Sequence, residues 1–384
     1  MATEVTNFPR ESTHREIANA LNMIAVAQAS SMGSVENWET IKQMVRQGLG
    51  PRAFPVGSQL IATHSEYGDV VFDVVAHNQH RDPDGHHLHS MTLQMHDVIY
   101  GRQMDNTEAL LYCPTGLAAG TYHFSLLAGY DPTYGGGKTL QFTTTKAVPA
   151  GGVVMFPWAW QTQSTATKIS TYATRESTTA LESVAVTEGS GGTNLGTADG
   201  TTENMNHTHR IRYGSNNWEQ SAGRQWLNSD AAAGAWWTPQ TIFDRPPTYA
   251  NVAGFLNGFD AAFKAALGAV DILTAKNTVY EAGAELGGSY TTRDKVFPPS
   301  MAEVGLGKND QITEGSVMPF YAGASDVDRI KYDINNANTA RHWWLRSPYP
   351  WNASYVRVVT SAGALDSYGY AYGGYGLAAA CVIY

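Results

Sequence analysis

The sequence predicts an α+β protein in which strands outnumber helices, and three observations carry that prediction. Helical periodicity runs through residues 1–50, and apolar and polar residues alternate through much of residues 51–200. In residues 201–384, two capped helical segments precede an ending rich in short strands. We therefore divide the 384 residues into an N-terminal helical segment, a β-rich region and a C-terminal α+β domain with those bounds.

The N-terminal segment contains two predicted amphipathic helices, and we expect this segment to serve attachment or oligomerisation. Thr13 and Glu16 form a capping box ahead of the first helix. The second is expected to begin near Ser34 and to end at Gly48 and Gly50. Its apolar face consists of Val35, Trp38, Ile41 and Val45.

The C-terminal domain begins with two further predicted helices. Ser215 is the predicted N-cap of the first, and the second lies in "NGFDAAFKAALGAV". The apolar stripes of these two helices are Trp218, Ala222 and Trp226, and then Phe259, Phe263 and Leu267.

Composition and charge exclude several classes of protein. The net charge is −9 and no Lys/Arg-rich block occurs, which disfavours a nucleic-acid partner. The apolar runs are too short for membrane insertion, and the first 16 residues are polar where the apolar segment of a signal peptide would lie. Cys113 and Cys381 allow one long-range disulfide or two reduced core thiols, and the usual burial of cysteine favours the thiols.

A histidine- and aspartate-rich stretch is a candidate metal site. The turn residues Asp82-Pro83-Asp84-Gly85 also predict a hairpin there, in which only some of the side chains share a face. His207 and His209 would point the same way from a strand, but two ligands do not make a site. We assign no metal ligand and no cofactor, and the metal question stays open for the stretch that contains His77, His80, Asp82, Asp84, His86, His87, His89 and His96.

No catalytic motif appears, and we predict that the protein is not an enzyme. The sequence has no nucleophile elbow, no phosphate-binding loop and no dinucleotide fingerprint. Nothing in the spacing pairs Asp294, Glu303 and Glu314. At least one of Trp343 and Trp344 is predicted to lie in the core, because adjacent residues of a strand face opposite ways. Arg346 is predicted to be a buried guanidinium that holds loops together.

The end of the chain combines two predicted strands with a tyrosine-rich stretch. "YVRVVT" alternates as a strand does, and "LAAACVIY" predicts a final strand in the centre of a sheet. Between them, "SAGALDSYGYAYGGYG" is expected to lie outside the core, because its tyrosine hydroxyls need partners. Tyr, Ser, Gly and Ala together are typical of antibody-like binding surfaces, and the alternative is a surface loop that has no partner.

Several motifs resemble a known family. "YGSNNWEQSAGRQWLNSDA", "GFLNGFDAAF", "RDKVFPPSMAEVG", "RHWWLRSPYPWNASYVRVVTSAGAL" and "GYGLAAACVIY" are similar, in that order, to motifs of a bacterial and phage family. That family includes the C-type-lectin-like variable proteins of diversity-generating retroelements. The resemblance covers roughly residues 205–384 and implies a C-type-lectin-like fold at the C-terminus. Residues 68–101 look like the first strands of the same fold, with residues 111–200 as a β-rich insertion.

The resemblance also implies a role for the tail. In such proteins a reverse transcriptase copies a template with errors at adenines, and the copy overwrites the 3′ end of the gene. Template AAC codons then yield Tyr, Ser, Asp, Gly and Ala, the residue set of "DSYGYAY". Trp351 departs from this set, because adenine changes alone cannot turn AAC into TGG, so its position is either fixed or derived from another codon.

The implied site lies within residues 349–375. Its scaffold consists of Trp343, Trp344, Leu345 and Arg346 with the closing strand Leu377–Ile383. Even spacing is expected to put Tyr355, Arg357 and Ser361 on one face of a strand. The implied ligand-binding, variable residues are Tyr349, Trp351, Ala353, Tyr355, Arg357, Ser361, Asp366, Ser367, Tyr368, Tyr370, Tyr372 and Tyr375.

The expected function is therefore receptor binding, as a phage tail component in the virion or, failing that, as a cytoplasmic protein. The expected ligand is a bacterial surface protein or glycan. We expect a homo-oligomer, with a trimer among the alternatives, or contacts with other virion proteins. A metal-dependent glycan-binding lectin with a fixed site is the second hypothesis. A third, an enzyme similar to the formylglycine-generating relatives of this fold, needs a suitable cysteine, and Cys381 is predicted to be buried.

Overall fold

The structure is a computed structural model that describes residues 37–106, 111–113, 115–126, 139–154, 167–170, 172–174, 183–198, 208–209, 215–240, 244, 246–276, 288–350 and 355–384. Within them the fold is α+β and mostly strands, as predicted. The first predicted helix, with Thr13 and Glu16, and the glycine-rich "GYDPTYGGGK" lie outside the described residues. The α-helices of the described part are α1 (Trp38–Arg46), α2 (Gly50–Ala53), α3 (Ala222–Leu227) and α4 (Ala261–Ala266).

The first four strands run through one continuous stretch. The first three lie side by side in one sheet, and the fourth is the edge strand of another. They are β1 (Gln59–His64), β2 (Gly68–His77), β3 (Met91–Met95) and β4 (Ile99–Arg102). As predicted, β2 and β3 form an antiparallel hairpin whose connection contains the turn at Asp82-Pro83-Asp84-Gly85.

Strands β5–β13 pair only with one another in the part of the chain that the structure describes. They form a four-stranded sheet in the order β10-β8-β5-β13 and a five-stranded sheet in the order β12-β6-β7-β11-β9. These strands are β5 (Leu111–Cys113), β6 (Gly120–Leu126), β7 (Thr139–Thr144), β8 (Gly152–Val154), β9 (Thr167–Ser170), β10 (Tyr172–Thr174), β11 (Ser183–Glu188), β12 (Thr193–Ala198) and β13 (Thr208–His209).

Most of the C-terminal strands combine with β1–β4. One sheet has the order β1-β2-β3-β24-β14, with β17 also on β24, and another has the order β22-β21-β20-β23-β4. Two further pairs, β15-β16 and β18-β19, are separate two-stranded sheets. These strands are β14 (Leu267–Gly268), β15 (Val270–Ala275), β16 (Ser289–Asp294), β17 (Val296–Phe297), β18 (Lys331–Asp333), β19 (Asn336–Arg341), β20 (Trp343–Pro348), β21 (Tyr355–Val359), β22 (Leu365–Tyr370), β23 (Tyr375–Leu377) and β24 (Ala380–Ile383).

The final strand is central, as its small apolar residues predict. β24 pairs with β3 on one side and with β14 and β17 on the other. Cys381 within it is 2% exposed, and both cysteines are buried free thiols, as predicted. Leu377 belongs to the separate strand β23, so the closing segment is two strands and not one.

Helix α1 packs into the main core. The ring of Trp38 meets Phe263 of α4 edge to face at 4.7 Å between centroids, and Lys42 Nζ donates to the Ala265 carbonyl at 2.6 Å. The predicted start near Ser34 is wrong, because Asn37 caps the helix by accepting from the Thr40 N–H at 3.0 Å. This part of the N-terminal segment is therefore part of the same folded body as the C-terminal strands.

The predicted helix after Ser215 is in fact two short helices. Ser221 accepts from the Arg224 N–H at 3.1 Å and starts α3, so the turn before it is a separate 3-10 helix over Trp218–Gln220. Likewise Asp260 caps α4, which leaves Phe259 before the helix and Leu267 after it. All six predicted stripe residues are nevertheless buried.

Gly363 provides a test of the turn between β21 and β22. Its φ is +85°, and an added Cβ would overlap the Asp326 carbonyl oxygen, which is backbone and cannot move aside cheaply. Gly307 has nearly the same φ of +86° but nothing within 4 Å of the added atom.

We expect Gly363→Ala to lower the free energy of unfolding by about 3 kcal/mol or more, since overpacking adds to the left-handed backbone cost. Gly307→Ala should lose only about 1–2 kcal/mol. Urea unfolding of the two variants measures the difference, and equal losses would show that the turn does not pack against Asp326.

Candidate functional site

Strand β20 is buried along its whole length and anchors the candidate site. Trp343 and Trp344 are both 0% exposed, because both faces of this strand are covered. The indole N–H of Trp343 donates to the Arg329 carbonyl at 3.0 Å, and that of Trp344 to the Arg102 carbonyl at 2.7 Å. Each tryptophan thus ties β20 to a different neighbouring segment.

Arg346 is the buried guanidinium that the sequence predicts. It is 1% exposed and forms a bidentate pair with Glu303, at 2.6 Å from Nη1 and 2.7 Å from Nη2. Its remaining N–H groups donate to the carbonyl oxygens of Leu273, Pro298 and Glu314 at 3.1–3.3 Å. One side chain therefore joins four separate segments of the chain.

Two buried glutamates beside Arg346 have opposite pKa shifts. Burial alone would raise the pKa of Glu303, but the charge and hydrogen bonds of Arg346, together with a hydrogen bond to His80, hold it at about 2. Burial raises the pKa of Glu314, and its hydrogen bonds from Ser347 and the Ala275 N–H offset that only in part. Glu303 is the charged partner of Arg346, whereas the carboxyl of Glu314 takes up a proton more readily than an ordinary glutamate.

The histidine-rich stretch does not assemble into a metal site. His80 is buried against Glu303 at 3.2 Å, His77 bonds to the Phe54 carbonyl at 2.8 Å, and His96 pairs with Asp73 at 2.9 Å. No three His, Cys, Asp or Glu side chains come together to hold a metal ion in the part of the chain that is described. All of His207 and the side chain of His209 lie outside that part.

The hairpin of β21 and β22 carries most of the predicted variable residues. Tyr355 pairs with Tyr370, and Val358 pairs with Asp366. Along β21, Tyr355 and Arg357 are half-exposed, whereas Val356 and Val358 are each 1% exposed. Every predicted variable side chain that the structure describes is half-exposed, and these are Tyr349, Tyr355, Arg357, Ser361, Asp366, Tyr370, Tyr372 and Tyr375.

Four of these tyrosines form a continuous line, which we call the tyrosine row: Tyr349, Tyr355, Tyr370 and Tyr372. Successive ring centroids lie 6.0, 4.6 and 5.6 Å apart, and the Tyr355 hydroxyl donates to that of Tyr370 at 3.0 Å. The guanidinium of Arg357 lies 5.2 Å from the Tyr349 ring centroid. Burial, then the neighbouring Tyr370, raises the pKa of Tyr372. The row is a series of mutually tilted, partly buried rings with the guanidinium of Arg357 beside Tyr349 at one end.

The rest of the molecule holds the main chain of this surface. The buried Asn216 amide donates to the carbonyls of Tyr349 at 3.3 Å and Tyr355 at 2.9 Å. Gln103 Nε2 donates to the Tyr372 carbonyl at 2.8 Å. These bonds act on peptide groups, so they are compatible with different side chains at the same positions.

The remaining predicted positions differ in their placement. Ser361 lies in the turn after β21 and not on the strand face with Tyr355 and Arg357, because β21 ends at Val359 and has an irregular register. In the stretch expected to lie outside the core, Leu365–Tyr370 forms strand β22. The expectation is correct for its described tyrosine side chains, which are not buried, but not for Gly369 and Ala371, which are.

Tyr375 packs edge to face on Trp344 at 4.7 Å. Trp351 and Ala353 lie outside the described residues, as do the side chains of Ser367 and Tyr368.

Sequence reasoning missed the residues that support the site from a distance. Glu303 and Glu314 surround Arg346 although 43 and 32 residues separate them from it. Asn216 is 133 residues before Tyr349, and Gln103 is 269 before Tyr372. Nothing in local spacing signals such pairs.

The fold and site define an α+β protein that presents a tyrosine-lined hairpin on a buried arginine–glutamate pair. The chain belongs to the family described as Domain of unknown function (DUF6273), whose model matches residues 161–384. Neither the curated proteins nor the solved structures contain a match. No helix in the described residues has the length and apolar character needed to cross a membrane.

The opposite pKa shifts of the two glutamates can be tested with one substitution at each. At pH 7, Glu303→Gln should lower the free energy of unfolding by about 3–5 kcal/mol, because it leaves Arg346 buried without a counter-charge. Glu314→Gln should cost less, about 1 kcal/mol, because burial already disfavours the charged carboxylate and Arg346 keeps its counter-charge in Glu303.

Urea unfolding measures both variants, first at pH 7 and then at decreasing pH. The depressed pKa of Glu303 means that its contribution is present above the ordinary value of 4.5 and is lost as the pH falls through about 2. The gap between wild type and Glu303→Gln should therefore narrow across that window, and a gap that does not depend on pH would contradict the assignment.

Proposed function

We propose that this chain is a non-enzymatic receptor-binding protein that displays a variable surface on a C-type-lectin-like domain. In this proposal a diversity-generating retroelement rewrites residues 349–375, and the protein acts in a phage tail that recognises a bacterial surface ligand. The observation that carries the proposal is the alternation on β21, where half-exposed Tyr355 and Arg357 are interleaved with buried valines.

That alternation meets the physical requirement of a diversified surface. Exposed substitutions usually change stability by within about 0.5 kcal/mol, whereas buried ones cost several times more. Tyrosines supply large amphipathic contact area at low entropic cost, as in antibody binding loops. Single contacts of this kind are weak, so repeated copies in an oligomer or a virion would raise the overall affinity.

The test of the proposal is deep sequencing of this gene across a natural population that carries it. We expect substitutions to concentrate in codons 349–375, at adenines of a nearby template repeat. Codons 215–228, which encode the buried helices around Trp218, are the internal control.

Equal variation in the two stretches would reject the retroelement hypothesis. The tyrosines would then form a fixed site, and the metal-dependent lectin would be tested by glycan binding with and without a chelator.

A variable surface must also tolerate change. Replacing Tyr355 and Tyr370 together by Ser should cost about 2–3 kcal/mol, for one hydroxyl–hydroxyl bond and the three ring contacts of the tyrosine row. Replacing Val356 and Val358 together by Ser should cost more than about 4 kcal/mol, because both side chains are fully buried. Thermal and urea unfolding compare the pairs, and similar losses would make the tyrosines core residues.

A further inference from the structure

An exposed tyrosine outside the variable stretch lies at the edge of the same surface. Tyr100 belongs to β4, which pairs with β23 so that Tyr375 faces Arg102 and Leu377 faces Ile99. Its side chain is 40% exposed, which makes it one of the exposed large hydrophobic side chains of the described residues. Tyr100 is therefore one strand away from the last predicted variable residue.

Arg341 stacks on this tyrosine. Its guanidinium carbon lies 3.9 Å from the Tyr100 ring centroid, closer than any other cation–ring contact of the described residues. Nε and Nη2 of Arg341 each lie 3.1 Å from Asp333 Oδ2, whereas Nη1 has no hydrogen-bond partner among the described residues. The pair thus combines a tyrosine ring with a guanidinium that Asp333 holds in place.

The pair adjoins the variable tyrosines. His342, next to Arg341 in the chain, stacks on Tyr375 at 5.8 Å. Burial raises the pKa of Tyr375, and after it the charges of Asp366, Tyr100 and Tyr372 act in the same direction. Tyr100 is therefore within electrostatic reach of the phenol at the end of the variable stretch.

We propose that Tyr100 and Arg341 are a fixed contact of the binding surface, which every variant presents to a protein ligand. This inference rests on the proposed function and adds the class of partner. Neither residue lies in residues 349–375, so template copying would leave both unchanged while their neighbours vary. Tyr and Arg are the residue types that most often dominate the binding energy at protein interfaces.

The geometry favours a protein over a polysaccharide. Interplanar angles of 62°, 57° and 43° along the tyrosine row tilt each ring against the next, so the row offers no flat platform on which sugar rings could stack. The donor at Arg341 suits a backbone carbonyl or a carboxylate on a partner.

A matched control lies on the neighbouring hairpin. Tyr332 is 39% exposed, almost as much as Tyr100. It pairs with Ala340, whereas Arg341 pairs with Lys331, so the alternation of β18 places Tyr332 on the opposite face from Arg341. The same substitution can thus be made at two equally exposed tyrosines, only one of which adjoins the proposed surface.

The experiment uses the full chain displayed on yeast, with the codons for the variable residues randomised. The library is selected against purified lysozyme and, in parallel, against immobilised dextran. Tyr100→Ala, Tyr100→Phe, Arg341→Lys and Tyr332→Ala are then introduced into several independent binders.

We expect the library to yield lysozyme binders. Tyr100→Ala should weaken the affinity of most of them about tenfold or more, whatever their variable residues. Tyr100→Phe keeps the ring and should weaken the affinity less. Arg341→Lys loses the planar stacking and should weaken it more than Tyr332→Ala does. The affinity of Tyr332→Ala should stay within about twofold of the parent. Display level and melting temperature verify that each variant is folded.

Lysozyme binders that are indifferent to Tyr100→Ala would overturn this inference and leave the proposed function standing. A library that yields binders to dextran alone would contradict the proposal that the ligand is a protein. A library that yields no binder at all would reject the display function, and this inference with it.

Discussion

A guanidinium without access to water must find its hydrogen-bond acceptors inside the protein, and Arg346 does so from strand β20. It reaches Glu303, the carbonyls of Leu273 and Pro298, and the carbonyl of Glu314. Buried ion pairs of this kind contribute little net stability over an apolar core but are costly to break. Their effect is to define one arrangement of the segments that they join. Strand β20, with its two tryptophans, is held in that arrangement and in turn supports the tyrosine-lined hairpin.

The hairpin is attached to this frame through its backbone. Asn216 and Gln103 bind carbonyl oxygens of Tyr349, Tyr355 and Tyr372, and these groups are the same whatever side chain the position carries. Glycine is constrained where the frame comes close: a Cβ on Gly369 would lie 2.8 Å from Val358 and 2.9 Å from Trp344. The hairpin therefore has two kinds of position. At some the side chain faces outward, and at others the packed side chains of neighbouring strands limit the size of the residue.

The sequence predicted the elements whose cause is local. Composition alone placed Cys381 in a buried central strand, and the Trp-Trp-Leu-Arg run predicted the buried Arg346. It could not predict the partners of Arg346, because long-range ion pairs leave no periodic pattern. Ser221 was not recognised as a second helix cap, since a serine within an amphipathic stretch is also compatible with a continuous helix. The position of Ser361 was wrong because an irregular register breaks the simple alternation of β21.

The central position of β24 has a consequence for how the chain acquires its structure. Gln94 of β3 donates to the Ala378 carbonyl across 284 residues, and β3 pairs directly with the last strand. The sheet is therefore incomplete until the ribosome has passed the whole tyrosine-rich stretch. A stop codon or frameshift arising in that stretch removes the strand that closes the core. A chain truncated there lacks the strand between β3 and β14, so an intact reading frame through residues 349–375 is needed to complete the main sheet.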